Sequence, residues 1–234
     1  AYYLFAREAG VEFVLGDTVT GLDITAGRVT GAVTAAGRTI AGDAVVNAAG
    51  GRSAQLGAEL GVAIPNTPLR REVLVTEPSR PFMTPAVTFY RPQEGWFNQT
   101  LRGELVAGVV DPEEPFGFSE ESTLRFLGRT SRVILEKAPK LAELRVIRQW
   151  AGVYDTTPDK RPLVGAHAAA PGLYSLNGWS GRGMLLAPLS AELLAKEIAG
   201  HGRDRLLASF DADRFADGAQ QVTAANDYYS GYAH

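Results

Sequence analysis

Gly172-Leu-Tyr-Ser-Leu-Asn-Gly-Trp-Ser-Gly-Arg-Gly-Met-Leu-Leu-Ala-Pro-Leu189 decides how this chain folds and what it can hold. Residues 173–176 form a short apolar run that predicts a buried strand. Gly178, Gly181 and Gly183 follow, and the spacing predicts a helix opening near 185–188. Glycines let a flat or anionic group approach the backbone, because no Cβ stands in the way. The start of a helix offers unpaired N–H donors and the positive end of its dipole. A strand, a glycine-rich turn and a helix N-terminus together make an anion-binding corner. The partner such a corner suits is a phosphate or a delocalised oxyanion.

Working outward, residues 1–9 read as the last turns of an amphipathic helix closed by Gly10. A strand is predicted at 11–15. Segments 17–24 and 28–35 alternate apolar and polar residues around Ala26-Gly27, which predicts a hairpin. Short strands follow at 38–41 and 43–47, the second running into Ala48-Ala-Gly-Gly51. Ser53 is the expected N-cap of the next helix and Gly61 its stop. From 65 the texture becomes strand-rich, at 72–76, 87–91, 95–99 and 105–110, with Pro and Gly in the turns. A helix is expected at 119–138 with Ser119 as N-cap, then a strand at 146–153, a loop at 154–161 and a terminal helix at 204–215. The expected class is α/β (α+β). A discontinuous domain of 1–64 and 154–234 carries an inserted antiparallel sheet domain of 65–153.

Composition narrows the classes. The chain has 234 residues, 45% hydrophobic and 21% charged, which is ordinary for a globular protein. A net charge of −3 without a basic block gives nucleic acid no footprint. No run approaches the about 20 apolar residues of a membrane span. With no cysteine, there is no disulfide, zinc–thiolate site or cysteinyl cofactor link. His167, His201 and His234 show no ligand spacing, so no metal is expected. A cytoplasmic location is the matching expectation.

The ordered set Ala9-Gly-Val-Glu12, Val19, Asp43-Ala-Val-Val-Asn-Ala-Ala-Gly50, Gly152-Val-Tyr-Asp-Thr-Thr-Pro-Asp-Lys-Arg-Pro-Leu-Val-Gly165 and the 172–184 segment resembles a known family. It is similar to the D-amino-acid-oxidase-like (DAO) family of FAD-dependent oxidoreductases. The nearest branch holds glycine oxidase, the sarcosine oxidase beta subunit, dimethylglycine dehydrogenase and dye-linked proline dehydrogenase. Such proteins open with a βαβ unit carrying G-x-G-x-x-G, which binds the FAD pyrophosphate. That motif is absent here, so the chain is expected to begin after the unit.

The resemblance implies FAD, held non-covalently. Ala48, Ala49 and Gly50 become a dinucleotide contact, and Val19 a backbone contact to adenine. Gly178, Trp179, Ser180, Gly181, Arg182, Gly183, Met184 and Leu185 wrap the pyrimidine end of the flavin. Tyr154 stands where glycine-oxidase-like proteins carry an arginine that clamps the substrate carboxylate. Arg91, on a predicted strand, and Arg182 are the expected replacements, while Arg70 and Arg71 read as solvated or structurally paired. The implied activity is oxidation of a small amino acid or a secondary or N-methyl amine by hydride transfer to flavin N5, and this segment alone is expected to be inactive. The partners implied are that substrate and an N-terminal remainder or other subunits. Two other readings stay open: a non-catalytic, partner-dependent subunit, and an FAD enzyme acting on a hydroxy acid or glycerol phosphate.

Overall fold

The computed structural model describes residues 1–84 and 86–215. Expectations that fall on 216–234, including His234 and the end of the 154–234 segment, lie outside the described residues. The elements are α1 Tyr2–Glu8, β1 Val19–Thr25, β2 Arg28–Thr34, β3 Thr39–Ala41, β4 Val45–Asn47, α2 Ser53–Glu59, β5 Thr67–Pro78, β6 Val87–Phe89, β7 Gly95–Gln99, β8 Glu104–Val109, α3 Leu124–Lys137, β9 Val146–Thr156, β10 Leu163–Ala166, β11 Leu173–Asn177 and α4 Gly183–Ile198. Short 3₁₀ turns sit at Gly50–Arg52, Pro139–Glu143 and Arg205–Phe210.

These strands form three sheets. The first is the meander β1-β2-β3. Its hairpin turns on Ala26 (φ 50°) and Gly27 (φ 77°), the two positive values that match the twist of the flanking strands. The second sheet, β10-β11-β4, joins distant parts of the chain. β11 pairs antiparallel with β10 and parallel with β4, which is a terminal strand of that sheet. Gly172 lies where the first two sheets touch, with φ 90°. A Cβ there would sit 2.5 Å from the Val29 carbonyl oxygen.

The third sheet has the order β6-β7-β8-β5-β9, with every neighbour antiparallel. One face packs on α3: Leu74, Phe97, Leu105, Ala107 and Val109 meet Phe126, Val133 and Ile134. Side chains alternate along a strand, so the other face is fixed as well. It carries Arg71, Val73, Trp96, Trp150 and Tyr154.

Several expectations are corrected. Residues 11–15 form no strand. The segment lies against α1, with Tyr3 packed on Phe13, rather than beside a free sheet edge. Ser53 is not an N-cap; it is the first residue of α2, after a 3₁₀ turn begun at Gly50, and its buried hydroxyl finds no protein partner. α3 starts at Leu124, five residues after Ser119, because Thr123 supplies the cap: its hydroxyl accepts the Phe126 N–H at 3.1 Å. The Glu72 carboxylate in turn receives the Thr123 N–H and hydroxyl. β9 runs on through Thr156, so Tyr154 stands in a strand and not in a loop. Arg91 lies past the end of β6, exposed. The terminal helix is a 3₁₀ turn over Arg205–Phe210, capped by Asp204. β10, only four residues long, escaped the pattern reading.

Replacing Thr123 by Ala should cost about 1 kcal/mol in urea unfolding, the usual value of a lost N-cap. Ser119→Ala should leave the unfolding midpoint within error.

Candidate functional site

The glycine-rich turn is organised by one buried carboxylate. β9 delivers Asp155 (5% exposed) to the turn, where it receives the Gly178 N–H at 2.7 Å and the Trp179 N–H at 3.0 Å. The Ser180 N–H donates to the Asp155 carbonyl at 3.2 Å. Burial raises the Asp155 pKa, and the amide bonds oppose that rise without cancelling it. Gly178 has φ 73°, and a Cβ there would lie 2.6 Å from Thr157 Cγ2, so glycine is required on both counts. Ser180 (φ 49°) and Gly181 (φ 87°) complete the turn. Two of the amides that the sequence reading aimed at a ligand are therefore taken by Asp155.

The helix start behind the turn remains available. α4 opens at Gly183, two residues before the expected 185. Gly183 and Met184 are its first two residues, so their N–H groups have no carbonyl one turn behind them. The Leu185 and Leu186 N–H groups return to the Arg182 carbonyl. Met184 is 95% and Leu185 81% exposed. A Cβ on Gly183 would face the Trp179 ring at 3.3 Å, so this glycine makes room for Trp179 rather than for a ligand.

The second expected contact lies at the end of β4. Ala48 and Ala49 are exposed, and Gly50 has φ 54°, where a Cβ would meet nothing within 4 Å. Asn47 fixes this turn, accepting the Ala49 N–H at 3.2 Å and donating to the Ser53 carbonyl at 3.1 Å. Asn177 donates to the Asn47 carbonyl at 3.0 Å, tying β4 to the strand that enters the glycine-rich turn. Val19 is half-buried at the start of β1, opposite Thr34.

Among the arginines, Arg182 donates to the Lys160 carbonyl at 2.7 Å and anchors the 157–161 loop. Arg70 is held by Glu114 in a two-bonded pair at 2.8 and 3.0 Å, which raises its pKa. Arg70 also lines a cavity of about 240 Å³ beside α3, where Arg125 and Arg129 share Asp111. Arg71 points to the opposite face of the sheet, with its guanidinium 5.8 Å from the Tyr154 ring centroid. Burial raises the Tyr154 pKa; the charge on Arg71 lowers it and that on Glu94 raises it. The sequence reading gave Glu94 no role, placed Asp155 in a loop, and read Arg71, like Arg70, as solvated or structurally paired. Alternation along 69–75 was the signal that separates Arg71 from Arg70.

A Ser175–His167–Asp213 chain has the hydrogen-bond order of a hydrolase triad, at 2.8 and 3.2 Å. Ser175 is fully buried, so no substrate reaches it. Burial lowers the His167 pKa against the pull of Asp213, which suits a neutral structural imidazole. Among the described residues no group of three or more His, Cys, Asp or Glu is placed to hold a metal, and no helix is long and apolar enough to cross a membrane.

These features have counterparts in known proteins. The family model "FAD dependent oxidoreductase" (DAO) matches residues 1–197, and the chain belongs to that family. It is 28% identical over 218 residues to the sarcosine oxidase subunit beta of Rhodobacter capsulatus, covering 93% of this chain and 51% of that protein. It is 26% identical to the hydrogen cyanide synthase subunit HcnC of Pseudomonas protegens, covering 92% and 51%. The L-proline dehydrogenase of P. horikoshii superposes with a TM-score of 0.85 at 26% identity, over 94% of this chain and 59% of that one. The chain spans about half the length of the curated relatives it matches. Both of those relatives are, by name, subunits.

Asp155→Asn should destabilise the fold by about 1–3 kcal/mol near pH 7, since the amide NH₂ would face a backbone N–H and leave it unpaired. The pH dependence has a definite sign. An acid whose pKa is raised on folding contributes stability at low pH and loses it as pH rises from the ordinary 3.8 through the folded value. The advantage of wild type over Asp155→Asn should therefore shrink as pH rises through that window, in urea titrations at a series of pH values.

Proposed function

We propose that this chain supplies the flavin-edge turn and the substrate sheet of an FAD-dependent enzyme that oxidises a small amino acid or a secondary or N-methyl amine. The carrying observation is the Asp155-braced turn, which ends at a helix start with Gly183 and Met184 amides available and an exposed Met184–Leu185 surface. The second support is the Ala48–Gly50 turn, whose small residues leave open space for a dinucleotide. FAD fits these residues. Gly178 to Leu185 would lie along the pyrimidine edge of the flavin, Ala48, Ala49 and Gly50 along the dinucleotide, and Val19 near the adenine.

When bound, FAD supplies the hydride acceptor. The chain supplies orientation and electrostatics. Helix-start amides favour negative charge where it develops, and they need no rearrangement because Asp155 has already shaped the turn. The sheet face with Tyr154 and Trp150 walls the substrate and limits water. With no cysteine in the chain and no histidine within these segments, this chain would hold FAD without a covalent link of its own.

Among the described residues, Val46 on the terminal strand β4 and Met184, Leu185 and Leu189 on α4 leave apolar surface exposed. We propose that a nucleotide-binding unit with G-x-G-x-x-G covers it, from the same polypeptide or another. The subunit names of two relatives also support a second reading, a partner-dependent subunit without catalysis of its own.

The test is anaerobic mixing of the FAD-loaded protein, with the nucleotide-binding unit present, with sarcosine, glycine, proline, lactate and glycerol 3-phosphate. Bleaching of flavin absorbance by an amine and not by the hydroxy compounds is expected. Bleaching by a hydroxy compound alone would refute the amine reading, and FAD binding without bleaching by any compound would favour the non-catalytic one. Acid precipitation of the same protein should leave all the yellow colour in the supernatant.

A further inference from the structure

We propose that His167 is a positioning residue for the cofactor turn at Ala48–Gly50: as a neutral imidazole it holds that turn through Ser175 and Asn177, and its protonation loosens the turn. The proposal rests on the reading of that turn as the dinucleotide contact and adds a control on it.

A continuous row of hydrogen bonds joins these residues. β11 is the middle strand of the second sheet, and Ser175 pairs with Gly165 of β10 on one side and with Asn47 of β4 on the other. His167 follows β10 directly, and its backbone N–H donates to the Leu173 carbonyl at 3.0 Å. Its ring spans Asp213 Oδ1 at 3.2 Å and Ser175 Oγ at 2.8 Å. The Asn177 side chain donates to the Ser175 hydroxyl at 3.2 Å and to the Asn47 carbonyl at 3.0 Å. The Asn177 side-chain oxygen accepts from Asn66, which also donates to the Gly50 carbonyl, both at 3.5 Å. The row therefore reaches both ends of the Ala48–Gly50 turn. At its other end Asp213 is 31% exposed, against 2% for His167, so a proton enters from the Asp213 side.

The bonds run in one direction. Only an N–H can bond the Asn47 carbonyl, so Asn177 turns its NH₂ to Ser175 as well, and the hydroxyl oxygen accepts. The ionised Asp213 carboxylate only accepts, which puts the hydrogen of the neutral imidazole on Nδ1. Nε2 is then the acceptor for the Ser175 O–H. A second proton makes Nε2 a donor. Ser175 would then face two donors, and its own hydrogen would have no acceptor in a fully buried site. Rotating Ser175 to relieve this takes its oxygen from Asn177 and slackens the row toward Asn47 and Gly50. Among the described residues, the charges acting on the ring are Asp213 and Asp211. Burial lowers the His167 pKa, and these two acids oppose that without cancelling it. The neighbouring cations are engaged elsewhere, Arg203 with Glu197 and Asp211, and Arg214 with Asp159. A base whose pKa is lowered on folding contributes fully above the ordinary 6.5 and loses that contribution as pH falls through the folded value.

The experiment is nitrogen-15 NMR of the chain without FAD from about pH 8 to about pH 5, with His201→Gln and His234→Gln so that a single imidazole titrates. The neutral ring should carry its hydrogen on Nδ1. As it takes up a proton, the protection factor of the Ala49 amide, whose hydrogen bond to Asn47 forms the turn, should fall by about tenfold with the same midpoint. Ser175→Ala cuts the row and should flatten that dependence while His167 still titrates. His167→Gln keeps an acceptor for the Ser175 hydroxyl and takes up no proton, so Ala49 protection should stay level across the range. Thermal melting controls for folding, and should Ser175→Ala fail to fold, His167→Gln decides. A hydrogen on Nε2 of the neutral ring, or Ala49 protection that ignores the His167 titration, would overturn the proposal. With the nucleotide-binding unit present, the Kd for FAD, read from flavin fluorescence, should rise about tenfold over the same range and stay level in His167→Gln. Ala49 protection that follows His167 while FAD binding does not would instead overturn the dinucleotide reading of the turn alone.

Discussion

The Asp155 carboxylate, with the Gly178 and Trp179 amides bound to it, is the contact on which the rest of the site depends. It fastens the end of β9, the last strand of the third sheet, to the end of β11 in the second. Without it the Gly178 and Trp179 N–H groups would lose their partner. The contact costs the desolvation of a carboxylate, which is why the Asp155 pKa is raised. What it secures is a fixed relation between the turn proposed to meet the flavin edge and the sheet face proposed to meet the substrate.

Around that contact, several buried polar side chains tie distant strands together. Asn177 reaches Asn47, and Asn47 shapes the turn at Ala48–Gly50. His167 and Ser175 join β10 and β11, and Asp213 pins the following chain through the Ala168 N–H at 2.6 Å. Arg214 grips Asp159 with two bonds at 2.8 and 2.9 Å and closes the 157–161 loop from below. Among the described residues apolar packing falls into three clusters: one between the third sheet and α3, one where Val29 meets Leu163 and Leu173 of the second sheet, and one that joins Val164 to Leu193, Leu194 and Leu207. The two candidate cofactor turns thus stand at the ends of adjacent parallel strands, β4 and β11.

Much of this was legible in the sequence, and for definite reasons. The Ala26-Gly27 hairpin, β7 and the strand–turn–helix of 172–189 are local patterns, set by glycine positions and alternation. The order of four glycine-bearing segments pointed to the family. What was missed depends on tertiary contacts. Ser119 and Thr123 are both good caps in sequence; Glu72, fifty-one residues away, selects Thr123. Asp155 fell in a segment read as a loop at 154–161; the turn in that segment is made by the carboxylate of Asp159, which accepts the Arg161 N–H at 3.0 Å. Arg70 and Arg71 are neighbours in sequence with opposite fates, because a strand turns successive side chains to opposite faces. Arg70 goes to Glu114, and Arg71 goes to the open face.

The central claim is that the glycine-rich turn is shaped by Asp155 before any cofactor arrives and that the helix start behind it receives the flavin. Backbone amide hydrogen exchange tests this directly, residue by residue, with and without FAD. The account predicts that the Gly178 and Trp179 amides exchange slowly in both states, since Asp155 already holds them, while the Gly183 and Met184 amides become protected only with FAD. Fast exchange at Gly178 and Trp179 without FAD, or no change at Gly183 and Met184 on FAD binding, would contradict it.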